Sequence, residues 1–407
     1  MGPLYVLGTG AAAVALPAVL FFRTRTLLPW QVALLPFGSI YVTGASLLAE
    51  LAVAVGIRAR RGQSMVVPRT LVLLWGAWLL LTMISFFANQ MAFRNLFQIA
   101  KFLAFGGIAI GCALLISAEG ELRRRIVLAA RSCAAVLAAV FIIAELLGGG
   151  EWESIQALVG RNEGAFQILL FGVVPSLAML ATPRMSESRR FWAAAQILVS
   201  LAAFNAAEAR TALGLAIMGT LGVIFLIAWR RSRAVALLLV AIMTYVVIRG
   251  AGTYIMDEFI GGRQNQFSNV ERLGLLTAAW RLLQSRPLTG WGWGSVDSLI
   301  PAVPETSLAY PHPHNTFAHF GIELGYPGLA LLIALYAVLI FRGLRELRKG
   351  DYSAAVFCLG VAAVLIGYSA TDDIFFGANR GVFATIFMGV ALAAPRLDVA
   401  SRESRLF

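Results

Sequence analysis

Apolar runs of eighteen or more residues recur along this 407-residue chain from near its start almost to its end. A run of that length is long enough to cross a bilayer as a helix. Backbone N–H and C=O groups in lipid must be satisfied within the protein, which for uninterrupted apolar runs means α-helices. The chain therefore reads as an all-α, polytopic integral membrane protein of about twelve transmembrane helices. The spans are expected near 4–22, 30–56, 68–87, 96–117, 126–147, 165–182, 191–206, 211–229, 234–249, 320–341, 353–370 and 381–395. Only 13% of the residues are charged, where a soluble domain carries about a quarter.

The first ten residues, MGPLYVLGTG, hold no basic residue, so no cleavable leader is expected. Cys112, Cys133 and Cys358 fall inside apolar runs without metal or pairing spacing, which makes them packing residues. The net charge of +12 sits in short clusters between apolar runs, with no basic stripe interleaved with aromatics. No nucleic-acid partner is expected.

Those clusters set the orientation. Arg58, Arg60, Arg61 and Arg69; Arg123, Arg124 and Arg125; Arg184, Arg189 and Arg190; Arg230, Arg231 and Arg233; and Arg342, Arg345, Arg348 and Lys349 lie in alternate loops. Cytoplasmic loops are the ones enriched in Lys and Arg, so both termini are expected in the cytoplasm and the active face outside. Three regions follow: 1–249 with nine spans, an external loop over 250–319, and 320–407 with the last three spans and a cytoplasmic tail. Within the loop, Val270, Leu273, Leu276, Trp280 and Leu283 form one helical stripe, as in an amphipathic helix lying on the bilayer. The run PLTGWGWGS then breaks that helix, and its two tryptophans suit a membrane interface.

All three histidines lie in YPHPHNTFAHFGIELGYPG, residues 310–328. The HPHNTFAH spacing allows a metal reading, with Glu323 able to face His319 one helical turn on. No thiolate completes the set, and no metal is expected. His312 and His319 read as polar residues at a helix start near the headgroups. His314 differs, because Asn315 can cap a helix beginning at Thr316. A helix amino terminus favours an anion, and an imidazole beside it can take a proton from a hydroxyl. Arg210 and Arg272 fall on the same expected side of the membrane, and two guanidiniums there can grip a pyrophosphate. Arg94, Lys101, and Asp372, Asp373, Asn379 and Arg380 of the last outer loop are weaker candidates. For the aspartates, pairing with Arg380 is the plain structural reading.

The run His314-Asn315, nine residues, Gly325, two residues, Gly328 resembles the signature of the O-antigen ligase and polymerase superfamily of bacterial membrane glycosyltransferases. Arg210-Thr211, Arg272 with Trp280, Pro287 and the Gly290, Gly292, Gly294 run support it in order and spacing, from about 205 to 345. The resemblance implies a GT-C-like membrane fold in the bacterial inner membrane. It also implies a metal-independent inverting glycosyltransferase that uses no cofactor. The donor would be a glycan on undecaprenyl pyrophosphate, and the acceptor either lipid A-core or another lipid-linked glycan. His314 would be the catalytic base, Arg210 and Arg272 would bind the pyrophosphate, and Asn315, His312, His319, Arg94 and Arg380 would line the site. Ligation is the first expectation. The short stretch between Arg272 and His314 keeps a repeat-unit polymerase beside it. A lipid or solute transporter is the alternative from another class, but it calls for charges in span interiors, where few are found.

Overall fold

Among the described residues, all regular structure is helical. The computed structural model describes residues 40–62, 65–89, 95–147, 161–183, 185–238, 263–300, 313–375 and 378–393, together with 241 and 245. In chain order the helices are α1 (Ile40–Arg60), α2 (Arg69–Ala88), α3 (Asn95–Ala118), α4 (Gly120–Leu147) and α5 (Arg161–Gln167). Helix α5 continues through a π-helical turn, Ile168–Val173, into α6 (Val174–Leu180). Then come α7 (Glu187–Ala206), α8 (Arg210–Arg231), α9 (Arg263–Ser285), the short α10 (Val296–Leu299), α11 (Thr316–Arg348), α12 (Tyr352–Thr371) and α13 (Ala378–Leu392).

Among the described residues, seven helical stretches are long and apolar enough to cross a membrane: α2, α3, α4, the continuous α5–α6 rod, α8, α11 and α12. The expected spans 4–22 and most of 234–249 lie outside the described residues, as does the start of 30–56. One apolar core joins α1 to α8 and α11 to α13. Helices α11 and α12 form an antiparallel hairpin whose turn is fixed by Asp351, which caps α12 by accepting from Ala354 N–H at 3.0 Å.

The bundle has two distinct ends. At one, Arg58 pairs with Glu119 at 2.9 Å, and the buried Arg123 donates to Val390 O at 2.6 Å. At the other end, the start of α11 meets the end of α12, and the start of α13 meets the start of α5. Helix α8 runs antiparallel to α12, because Arg230 lies over the Tyr352 ring while Leu215 packs on Gly367.

Four details depart from the sequence expectation. Arg123 sits in the first turns of α4, with its guanidinium buried against a carbonyl, and not in a solvated loop. Glu50 is buried in mid-helix, because α1 extends to Arg60. In α9 the expected stripe divides, with Leu273, Leu276 and Trp280 exposed and Leu283 buried beside Gly321. The inner face is instead Leu275, Ala278 and Ala279, clustered with Val296, Ile300 and Ile322, since small residues allow closer helix approach than tryptophan does. Trp293 is fully buried against Phe102 and Phe320, and not placed at an interface.

Candidate functional site

The site is built where α11 begins and where α11 breaks. Asn315, with extended backbone, caps α11 by accepting from Ala318 N–H at 2.9 Å, and its amide nitrogen donates to Ala370 O at 3.0 Å. The cap thus ties the start of α11 to the end of α12. Just before it, His314 adopts φ +48°, a left-handed conformation uncommon outside glycine, in which histidine is enriched. Thr316 pins the turn that follows α12: its hydroxyl donates to Asp372 O at 2.9 Å and accepts from Ile374 N–H at 3.0 Å.

These restraints deliver Asp372 to His314. Its Oδ1 lies 3.5 Å from His314 Nδ1, and its Oδ2 pairs with Arg380 at 2.5 Å. Arg380, buried at the start of α13, also pairs with Glu163 Oε1 at 2.9 Å. Burial alone would push the Asp372 carboxyl up. The hydrogen bond with His314 and the charge of Arg380 outweigh burial and hold it down to about 2. Asp372 is therefore a fixed anion, and a fixed anion at Nδ1 sets the orientation of the imidazole. His314 keeps about a quarter of its side chain accessible.

The break in α11 explains the glycines downstream. Gly325 has φ +69° and ψ −165°, so the helix is interrupted there. Tyr326 N–H turns to Pro287 O at 2.8 Å, and Pro327 has no N–H to give. Ile322 O and Glu323 O thus lose their partners one turn on, a cost that must be met elsewhere in an apolar setting. The 286–294 turn meets it: Trp291 N–H donates to Ile322 O at 2.8 Å and Gly292 N–H to Glu323 O at 3.1 Å. Ser85, at the end of α2, adds its hydroxyl 3.1 Å from Glu323 O and 2.8 Å from Thr289 O. Backbone against backbone leaves no room for side chains. A Cβ on Gly290 would stand 2.3 Å from Glu323 C and O, and one on Gly325 would stand 2.4 Å from Pro287 O.

The other expected residues fall into four groups. Arg380 and Asn315 belong to the site. Arg210, at the first position of α8, is exposed at the same end of the bundle. Leu215 packs on Gly367, and at 1.5 Å rise per residue both Arg210 and Asp372 then stand about 7.5 Å beyond that contact. Arg272 is exposed on α9, which approaches α11 through Leu283 beside Gly321. His319 is buried within the protein, with Nε2 3.2 Å from Glu323 Oε1 and Nδ1 3.4 Å from Asp373 Oδ2. Arg94 and His312 lie outside the described residues. Glu163 was missed, although a carboxylate in the first turn of an apolar helix was a signal for a partner.

Along α2 and α3 runs an apolar groove of about 280 Å³, lined by Trp75, Trp78, Leu79, Thr82, Phe102 and Leu103 among others. Its aromatic wall continues through Trp78 to Phe320, whose ring lies 4.5 Å away, next to His319 in sequence.

Fold and site together define a multi-pass helical membrane protein with a charged cluster at one end of its bundle. Residues 177–333 match the family model described as O-antigen ligase, so this stretch of the chain is similar to the O-antigen ligase superfamily. That match supports a function of the membrane O-antigen ligase or polymerase type. A comparison with curated proteins gives no match. The matched stretch includes Arg210, Arg272 and the whole of the 310–328 run, and stops short of Asp372 and Arg380.

Proposed function

We propose that this protein is an inverting, metal-independent glycosyltransferase of the bacterial inner membrane. It would move a glycan from undecaprenyl pyrophosphate to an acceptor hydroxyl at the periplasmic face, with O-antigen ligation to lipid A-core as the reaction. The observation that carries this reading is the His314 imidazole held against Asp372, itself fixed by Arg380 and Glu163. With Nδ1 turned to the carboxylate, Nε2 is the nitrogen that takes the acceptor proton. The acceptor oxygen then attacks the anomeric carbon from the face opposite the leaving group, the carbon–oxygen bond to phosphate breaks, and its electron pair departs on the pyrophosphate. Arg210 and Arg272 receive that developing charge. Pyrophosphate is already a good leaving group, so a base and charge stabilisation supply what the step needs. The groove beside Trp75 and Trp78 suits the donor's isoprenyl tail, since it is apolar and its aromatic wall leads towards the site.

His314→Ala should cut glycan transfer from a defined lipid-pyrophosphate donor to a small residual rate while the protein remains in the membrane. Unchanged transfer, or a normal surface glycan in cells carrying the variant, refutes the reading. A repeat-unit polymerase would use the same chemistry with a lipid-linked glycan as acceptor. Purified protein offered both acceptors separates the two, because only the true acceptor is extended.

A further inference from the structure

Asn315, His319 and Glu323 follow one another at four-residue spacing, so they share one face of α11. The first caps the helix beside His314. The other two take no part in the proposed proton transfer, yet they are buried and polar inside an otherwise apolar bundle. Buried polar groups of this kind are expensive unless fully engaged, so their arrangement calls for a reason.

The contacts form a continuous line. Gly294 N–H donates to Glu323 Oε1 at 2.7 Å. The same oxygen lies 3.2 Å from His319 Nε2, and His319 Nδ1 lies 3.4 Å from Asp373 Oδ2. Asp373 in turn donates its backbone N–H to Asp372 Oδ1 at 2.8 Å, the oxygen that faces His314. Both nitrogens of His319 thus face carboxylate oxygens.

From this geometry we infer that His319 is a positioning residue for the transfer reaction. It clamps Asp373 to Glu323 and so holds the Asp372–His314 pair in register with the glycine-rich 286–294 turn. Thr316 fixes the backbone of the 372–374 turn, and His319 engages the Asp373 carboxylate from α11. Loosening that carboxylate frees the Asp373 N–H and with it the orientation of Asp372 Oδ1. A misdirected imidazole lowers the rate of proton removal and leaves donor binding alone. This inference rests on His314 being the base.

The test is a double-mutant cycle on the full-length protein in detergent or nanodiscs. Glutamine at 319 can donate to one carboxylate but cannot span both. His319→Gln is expected to lower kcat about 30-fold with the donor KM changed less than about 3-fold. In a His314→Ala background, where there is no imidazole to orient, the same change is expected to alter the residual rate less than about 2-fold. Equal losses in both backgrounds, or an unchanged kcat in His319→Gln, overturn the inference. Glu323→Gln keeps an acceptor for Gly294 N–H and serves as the second variant if His319→Gln does not fold. It is expected to give a smaller kcat loss with the same dependence on His314, and an additive loss overturns the inference equally. Full transfer by His314→Ala alone refutes instead the assignment of the base, and is seen before either variant is made.

Discussion

Asp372→Asn is the substitution that most directly probes how this site is wired. Burial pushes the carboxyl up, while the His314 hydrogen bond and the Arg380 charge bring it from its usual 3.8 down to about 2. A lowering of that size favours the folded state by about 2.5 kcal/mol. The group is depressed in the folded protein, so this stabilisation is complete above the unfolded value and is lost as pH falls through the folded one. Asparagine keeps the shape and removes the charge, leaving the buried Arg380 with Glu163 as its remaining ion-pair partner. Removing one member of a buried pair costs about 3–5 kcal/mol, and the remaining Glu163 brings the expected loss to about 2–3 kcal/mol at neutral pH. Unfolding of detergent-purified parent and variant, followed by denaturant from about pH 7 to pH 2.5, gives the difference directly. It should stay level down to about pH 5 and then shrink. Transfer should fall at least about a hundredfold, because the imidazole loses the anion that orients it. A variant as stable as the parent at neutral pH, or a difference that does not change on acidification, would refute this account of Asp372.

Gly290→Ala and Gly325→Ala each place a Cβ within 2.5 Å of a facing backbone atom at a positive φ. Each should cost more than about 2 kcal/mol and loosen the 286–294 turn, seen as a lower unfolding midpoint and as proteolysis at that turn. An unaltered midpoint in both would contradict the backbone pairing. Leu79→Trp partly fills the groove between α2 and α3 and is expected to raise KM for a long-tailed donor while leaving a short-tailed donor unaffected. Equal effects on both donors would remove the tail from that groove.

Much of the architecture was legible because membrane helices announce themselves. A run such as Arg69–Ala88 or Tyr352–Thr371 has only one structure open to it in a bilayer, and the helices fall within a few residues of the expected bounds. The Asn315 cap was equally local: an asparagine before a helical run accepts from the N–H three residues on, and it does so here. Glu323 beside His319 followed from the same helical spacing. What the sequence did not show was most of what each helix would meet. The burial of Leu283 and of Trp293 depends on α11 and α3, and periodicity is silent about neighbours.

By itself, then, the sequence determined that the chain is a helical membrane protein, that α11 starts at Asn315, and that His314 stands at that start. Those are consequences of local chemistry: hydrophobic length, capping and the missing N–H of Pro327. Only the tertiary structure decided which carboxylate serves His314, that Glu163 joins Arg380 in holding that carboxylate, and that Asp373 meets His319 from the side away from Glu323. It also showed that the glycines of two separate motifs lie against each other, one supplying N–H groups to the carbonyls released by the other. Such pairings join residues up to 217 positions apart, and distances of that order along the chain are set by helix packing, which no short stretch of sequence encodes.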